Sequence, residues 1–284
     1  MTDDTTLERH PQKDHFSGVF HRAAETYDAV GVDFFAPIAA QLVARADLHP
    51  GESVLDLGAG RGAALFAAAA AVGGSGEVLG VDIAPGMAER TAADAAERGL
   101  DQVRVVLGDA DQPPARVGGW DVAIASFVLF FLPDPVATAR RIRGVIRPGG
   151  RFVLSTFDES DARWRVVESA VKPFWPPSPE SEQPAHPATL SHFASTENVE
   201  ALLAESGFTD IDTVVIEHRN HYRDAEQWLD WTWSAGARVI WERVPPNRLD
   251  EAIAAGTAAA STLAEPDGTL SERFLVRLTR AVAP

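Results

Sequence analysis

Short apolar runs alternate with longer amphipathic stretches through the first half of the chain. "SVLDLG" (53–58) is short and almost wholly apolar, the pattern of a buried strand, and "GAALFAAAAAV" (62–72) reads as a buried helix. The rhythm repeats as strand "EVLGVD" (77–82), helix "GMAERTAADAAERG" (86–99) and strand "VRVVLGD" (103–109). A fourth strand lies within "WDVAIASFVLFFL" (120–132). Helix "PVATARRIRGVI" (135–146), turn "RPGG" (147–150) and strand "RFVLSTF" (151–157) follow. Upstream, helices are predicted over 16–30 and 33–46, the second capped by Asp33, with residues 1–15 loosely attached. Downstream, the proline-rich stretch 158–190 breaks the rhythm. It resumes with helix 195–207, strand 211–218, a mostly helical block 223–262 and a last strand 272–282.

This alternation predicts an α/β fold, a doubly wound and mostly parallel sheet with helices on both faces. No internal repeat or linker-like charge block divides the chain, so a single domain over 1–284 is expected. Within it, 1–50 are N-terminal helices over the ligand, 51–157 a ligand-binding core, and 158–194 and 219–270 insertions that cover the substrate. Residues 195–218 and 271–284 complete the sheet.

Composition narrows the chemistry. The absence of cysteine excludes disulfides, thiolate metal sites and thiol nucleophiles, and fits a reducing cytoplasm. A formal charge of −16 repels phosphate backbones and anionic lipid, which argues against nucleic acid and membrane as partners and mildly favours a cationic ligand. The polar N-terminus carries no signal-peptide pattern, and the longest small-apolar run, 63–72, is about half of what a bilayer requires.

The loop in "VLDLGAGRG" (54–62) holds Gly58, Gly60 and Gly62 behind Asp56. Glycines between a strand and a helix permit a tight turn and let a ligand lie against the backbone. A dinucleotide fingerprint would need glycine where Ala63 stands, and Asp56 puts negative charge where two phosphates would lie. A compact ligand with a positive centre suits the loop better. Asp82 ends the second strand, where a carboxylate can take both ribose hydroxyls, and Asp109 ends the third, where one can accept from an exocyclic amine. Ribose, adenine and a cation together describe S-adenosylmethionine (SAM). Each acid also has a plainer use as a cap or turn residue.

Five motifs in order, "VLDLGAGRG", "VLGVDIAPGM", "LGDA", "WDVAIASFVLFFLPDP" and "RPGGRFVLSTF", resemble those of class I SAM-dependent methyltransferases. The resemblance is to the broad group that includes ubiquinone/menaquinone-pathway and actinobacterial natural-product enzymes. The resemblance covers residues 53–157, and "FHRAAETYDAV" resembles the segment that precedes this core. It implies a Rossmann-like seven-stranded sheet with the last strand antiparallel, SAM as cofactor and S-adenosylhomocysteine (SAH) as product. By motif, Gly58, Ala59 and Gly60 would touch the amino-acid end of SAM and Asp56 would orient it. Asp82 would bind the ribose. Ile83 and Met87 would flank the adenine, and Asp109 and Ala110 would read its edge. Ser126 and Phe127 would lie near the methyl group, and Tyr27 would close over the cofactor.

The acceptor is less legible. His186, His192, His218 and His221, with Asp158 and Glu159, are the candidate bases. His192 ranks first among them and joins Phe127 as a catalytic candidate. No metal-ligand spacing stands out. Trp228 and Trp231 share one helical face, Trp233 and Ile240 another, so that helix should be sandwiched between the core and a substrate, a lid or a second subunit. With Phe130, Phe131, Trp164, Phe174, Trp175 and Trp241 they suggest an apolar pocket for a small phenolic, polyketide or isoprenoid acceptor, methylated on oxygen or carbon. Phe131, Trp175, Trp228 and Trp231 are the substrate-binding candidates. Three other readings compete. One is a fold-mate that keeps SAM but works as a cyclase or pericyclic catalyst, another a nicotinamide oxidoreductase, and the last a binding module with a decayed site.

Overall fold

The structure, a computed structural model, describes residues 10–177 and 187–284. Helices α1 (Pro11–Ala23) and α2 (Phe35–Ala46) precede β1 (Ser53–Leu57), α3 (Ala63–Val72), β2 (Glu77–Asp82), α4 (Pro85–Glu97), β3 (Val103–Leu107) and β4 (Trp120–Ser126). Next come α5 (Pro135–Val145), β5 (Ile146–Ser160), α6 (Arg165–Val171), α7 (Pro187–Ser191) and α8 (Thr196–Glu205). The chain ends with β6 (Thr209–Tyr222), α9 (Ala225–Ser234), α10 (Val239–Glu242), α11 (Leu249–Ser261) and β7 (Leu270–Val282). None of the described helices is long and apolar enough to cross a membrane.

The seven strands form one sheet in the order β3-β2-β1-β4-β5-β7-β6, with β7 antiparallel to β5 and β6. Every residue of β1 is buried, as expected of a central parallel strand covered on both faces. Strand alternation divides the core. Val54, Val122, Ile124 and Val153 face Ile38 and Leu42 of α2 and Leu65 of α3, while Leu55, Leu57, Ala123 and Phe152 face Ile142 of α5 and Leu202 of α8. The order reverses beside β1, between β1 and β4, where a doubly wound sheet opens a crevice at the strands' carboxyl ends.

Most predicted elements form within a few residues of their expected ends. The first helix is different: α1 starts at Pro11, so residues 11–15 are helical rather than loose, and the chain leaves helix at Ala24. Asp33 does not cap α2, whose N-cap is Phe34. The carboxylate of Asp28 faces the N–H groups of Phe34 and Phe35 instead. "RPGG" lies within β5, at a register shift that pairs Ile146 with Trp120 and Arg151 with Val122. The tryptophan block is broken into α9 and α10, so Trp233 and Ile240 do not share one helix. Helix α6 packs on α11, and α11 on α9, to make a helical cover.

Candidate active site

One cavity of about 690 Å³ opens at the crevice and runs from the glycine loop to the cover helices. At the loop, Gly58, Gly60 and Gly62 all take left-handed φ values, 67°, 52° and 83°. Their surroundings differ. A Cβ on Gly58 would meet Val128 Cγ2 at 2.4 Å and one on Gly62 would meet Phe66 Cε2 at 2.5 Å, whereas one on Gly60 would meet nothing within 4 Å. Two glycines therefore serve packing, and Gly60 leaves bare backbone at the cavity wall.

Three acids stand around this backbone, and each is buried. Asp82 accepts from the N–H of Gly60 at 2.8 Å and of Ala84 at 2.9 Å, which ties the loop to the end of β2. Burial still outweighs these donors and pushes its carboxyl up to about 6. Asp56 is only 1 % exposed, and its carboxylate faces the N–H of Leu65 in the first turn of α3 without a close hydrogen bond to either oxygen. Burial, and then the charge of Asp82, raise it to about 8. A buried carboxylate with no cation beside it is costly, and a cationic ligand relieves that cost. Asp109 has a partner that the sequence did not reveal. Lys13 of α1, itself buried, places its Nζ 2.7 Å from Asp109 Oδ2 and 2.9 Å from Asp111 Oδ2. Asp111 also accepts from Thr138 and Arg141, so this hub fastens α1 across the cavity mouth. The hydroxyl of Ser17, which donates to the Ile83 carbonyl at 2.9 Å, adds a second fastening.

Ile83, Met87 and Ala110 line the same end, as do Tyr27 and Ser126. Burial, then the charges of Asp28 and Asp82, push the Tyr27 phenol well up, so it stays a neutral donor. Its ring stacks on Phe35 with centroids 4.8 Å apart. Phe127, beyond β4, is a non-glycine residue at φ 57°. Its N–H donates to the carbonyl and hydroxyl oxygens of Ser155 at 3.2 and 3.1 Å, which holds the strained turn. The ring closes against Phe157 at 4.6 Å and Phe34 at 5.6 Å.

Beyond Phe127 the walls become aromatic. Phe34, Phe130, Phe131, Trp164, Trp228, Trp231 and Phe274 line this half. Trp231 is buried, and its indole N–H has no partner. Glu272 of β7 reaches the same space and accepts from the Tyr222 hydroxyl at 2.8 Å. The alternation in "LSERFLVRL" (270–278) gives the signal for Glu272: an acid at a position whose period-2 neighbours, Leu270, Phe274, Val276 and Leu278, are all buried and apolar. Lys13 had no comparable signal, because its burial depends on α1 packing on α4 so as to reach the loop after β3.

Several predicted residues lie elsewhere. His192 is on the turn after α7 and does not line the cavity. Asp158 is ion-paired with buried Arg277, and Glu159 lies 3.6 Å from Arg273. His221 is exposed, and His218 faces the core from β6 with its Nε2 3.1 Å from Asn220 Oδ1. Burial pushes the His218 imidazole down, which keeps it neutral. Trp175 also does not line the cavity; its indole N–H donates to the Ile240 carbonyl at 2.9 Å and Arg243 covers its ring at 4.2 Å. His186 lies outside the described residues.

A glycine loop and strand-end acids at the switch point of a doubly wound sheet are the arrangement of a nucleoside-binding α/β enzyme. A family model described as a methyltransferase domain matches residues 48–207, and the chain belongs to this family of SAM-dependent methyltransferases. It is 40 % identical over 238 residues to the nocamycin O-methyltransferase of Saccharothrix syringae, covering 81 % of this chain and 85 % of that protein. It is 38 % identical over 165 residues to the aklanonic acid methyltransferase DauC of a Streptomyces species, covering 58 % of this chain and 71 % of that protein. The fold resembles that of the YcgJ protein of Bacillus subtilis, with a TM-score of 0.57, 18 % identity and coverage of 87 % and 98 % of the two chains. The cavity fits SAM on its own evidence: the buried Asp56 carboxylate has no cation beside it among the described residues, and the space over Gly60 is open, since a Cβ there would meet nothing within 4 Å.

Proposed function

We propose that this enzyme methylates a hydroxyl oxygen of a small, largely apolar phenolic or polyketide-like acceptor. One observation carries the reading: a single cavity joins the Gly60 backbone and the Asp56 carboxylate to the rings of Trp228 and Trp231. A cofactor lying along the loop would therefore point its reacting end into the aromatic chamber. SAM supplies an electrophilic methyl carbon on a sulfonium; transfer of that methyl to the hydroxyl oxygen leaves SAH and releases the hydroxyl proton to solvent. The residues bind and orient. Asp56 and the loop residues Gly58, Ala59 and Gly60 hold the amino-acid end of SAM, Asp82 the ribose, and Ile83 and Met87 the faces of the adenine. Ala110 packs at the adenine edge and Asp109, already fixed by Lys13, accepts there. Tyr27 closes over the cofactor, and Ser126 and Phe127 flank the methyl group. The Phe34, Phe127 and Phe157 rings exclude water and press the acceptor into line with the methyl–sulfur bond, where orientation alone supplies much of the rate.

The oxygen reading is supported by the name of the Saccharothrix relative and by the apolar wall. The alternative, retention of SAM without methyl transfer, has fold likeness alone in its favour, to the [4+2]-cyclase SpnF at 18 % identity and a TM-score of 0.54. Calorimetric titration with SAM, with NADH as control, tests the cofactor end. Incubation of the SAM complex with phenols, amines and prenyl compounds, with SAH as readout, tests the transfer. Methylated phenol with one SAH per turnover is expected. SAM binding with no SAH from any acceptor would overturn the proposal.

A further inference from the structure

We propose that the far end of the acceptor chamber is a binding site for a protonated amine, formed by Glu272 with the surrounding rings of Trp164, Trp228, Trp231 and Phe274. The inference rests on the proposed function, because it takes this chamber to be where the acceptor lies.

Charge is the first argument. The cations that line the cavity sit at the cofactor end. Lys13 is held by Asp109 and Asp111, Arg61 by Asp94 at 2.6 Å, and Arg98 lies over Phe66 at 3.9 Å. The acceptor half has Glu272 and, on α6, Glu168, and neither forms an ion pair with a described residue. The groups acting on Glu272 are neutral or negative: the Tyr222 hydroxyl donates to it, and Asp161 repels its charge. Burial, the largest cause, pushes its carboxyl up to about 7. A carboxylate facing a cavity with no cation of its own leaves the counter-charge to the ligand.

The second argument is the wall. Trp164 lies 5.5 Å from Trp228 and 5.9 Å from Tyr222, and Tyr222 lies 5.8 Å from Trp231, which lies 6.1 Å from Phe274. Aromatic faces attract an ammonium group through the ring quadrupole, most strongly where water is excluded. The carboxylate is also positioned. Asn220 donates to the Tyr222 hydroxyl at 2.9 Å, Tyr222 donates to Glu272, and His218 holds Asn220, so alternate residues of β6 brace a single oxygen of Glu272.

Placement decides between anchor and nucleophile. Ser126 pairs with Ser155, and Ser155 with Leu278, whereas Glu272 stands six residues further along β7. That is roughly 20 Å along the extended strand. An amine held at Glu272 lies on the far side of the Phe34 ring, which stands between Phe127 at 5.6 Å and Phe274 at 5.1 Å. It fixes which end of an elongated acceptor enters first, and another atom of the acceptor receives the methyl group.

The test uses the full-length protein saturated with SAH, in about 0.15 M salt to screen the acidic surface. Calorimetry compares 2-phenylethylamine, a cation at neutral pH, with its neutral counterpart 2-phenylethanol. The amine is expected to bind at least about tenfold more tightly, and Glu272→Gln, which keeps an acceptor for Tyr222, should reduce the ratio to about one. Equal affinities, tighter alcohol binding, no binding of either probe, or an unchanged ratio in Glu272→Gln would each overturn the inference. If the variant does not fold, the ratio in the unaltered protein decides alone. Loss of SAH binding in the unaltered protein would remove the proposed function as well. SAH binding without amine preference would remove this inference only.

Discussion

The loop end of the cavity is built around backbone, and the aromatic half wholly from side chains. Three left-handed glycines and the ends of β1 and β2 place N–H groups and the carboxylates of Asp56 and Asp82 within residues 53–84, and Lys13, Tyr27, Met87 and Asp109 close this end from other elements. The acceptor chamber gathers Phe34 before α2, Trp164 after β5, Trp228 and Trp231 on α9 and Phe274 on β7. A backbone site is fixed by local conformation and tolerates few ligands. A site of rings from distant elements is set by packing and can change its partner while the fold persists.

The largest expected effect breaks the first of these. Asp82→Ala removes the acceptor of the Gly60 and Ala84 N–H groups along with the proposed ribose ligand. Two charge-assisted hydrogen bonds at about 1.5–3 kcal/mol each predict a loss of SAM affinity of roughly a hundredfold or more by calorimetry. Affinity within about threefold of the parent would mean that the glycines hold the loop unaided and the ribose lies elsewhere. Trp231→Ala tests the other half. It should leave SAM affinity within about twofold, raise the acceptor KM at least about tenfold, and cost stability of about 3–5 kcal/mol as a large core truncation. The reverse pattern, weak SAM with normal KM, would make α9 scaffold.

This division also governs what the sequence could tell. Residues 53–157 were legible because each motif is local: a buried run, a glycine turn, an acid at a strand end. Asp56, Asp82 and the loop can be placed from spacing alone. Trp228 and Trp231 were legible as one face of a helix. Trp175 was not, because only the tertiary fold shows its indole turned to the Ile240 carbonyl and away from the cavity. His192 failed likewise: being between β5 and its next helix set its neighbourhood but not its direction. Lys13 was obscured twice, by a helix that starts earlier than its apolar pattern suggests and by partners about a hundred residues away.

A moderate effect sharpens the comparison through pH. The folded state of Asp56 titrates near 8, above the ordinary carboxylate value, so the folded protein keeps a proton that the unfolded chain gives up. Its contribution therefore favours folding at low pH and is lost as pH rises from about 4 to about 8. Asp28 and Asp82, raised to about 6, and Glu272, raised to about 7, act in the same direction. Asp56→Asn should raise the Tm of the ligand-free protein at pH 8, change it little at pH 5, and weaken SAM about tenfold. A Tm that falls equally at both pH values would show that the carboxylate is structurally satisfied and not held in reserve for a cation.

The smallest effect is expected where sequence and structure disagree. Trp175→Phe keeps the ring under Arg243 and removes one indole N–H bond to Ile240, which predicts about 1 kcal/mol of stability and an unchanged acceptor KM. Trp175 holds the chain beyond α6 to the carbonyl of α10, and Ile240 itself lines the cavity. A changed KM would therefore carry specific information. It would show that the segment moves with α10 during substrate entry, so that the acceptor half is shaped by motion of its cover as well as by the rings that line it. An unchanged KM with the expected loss in Tm would confine the acceptor's contacts to the lining residues and place Trp175 wholly in the packing of the cover.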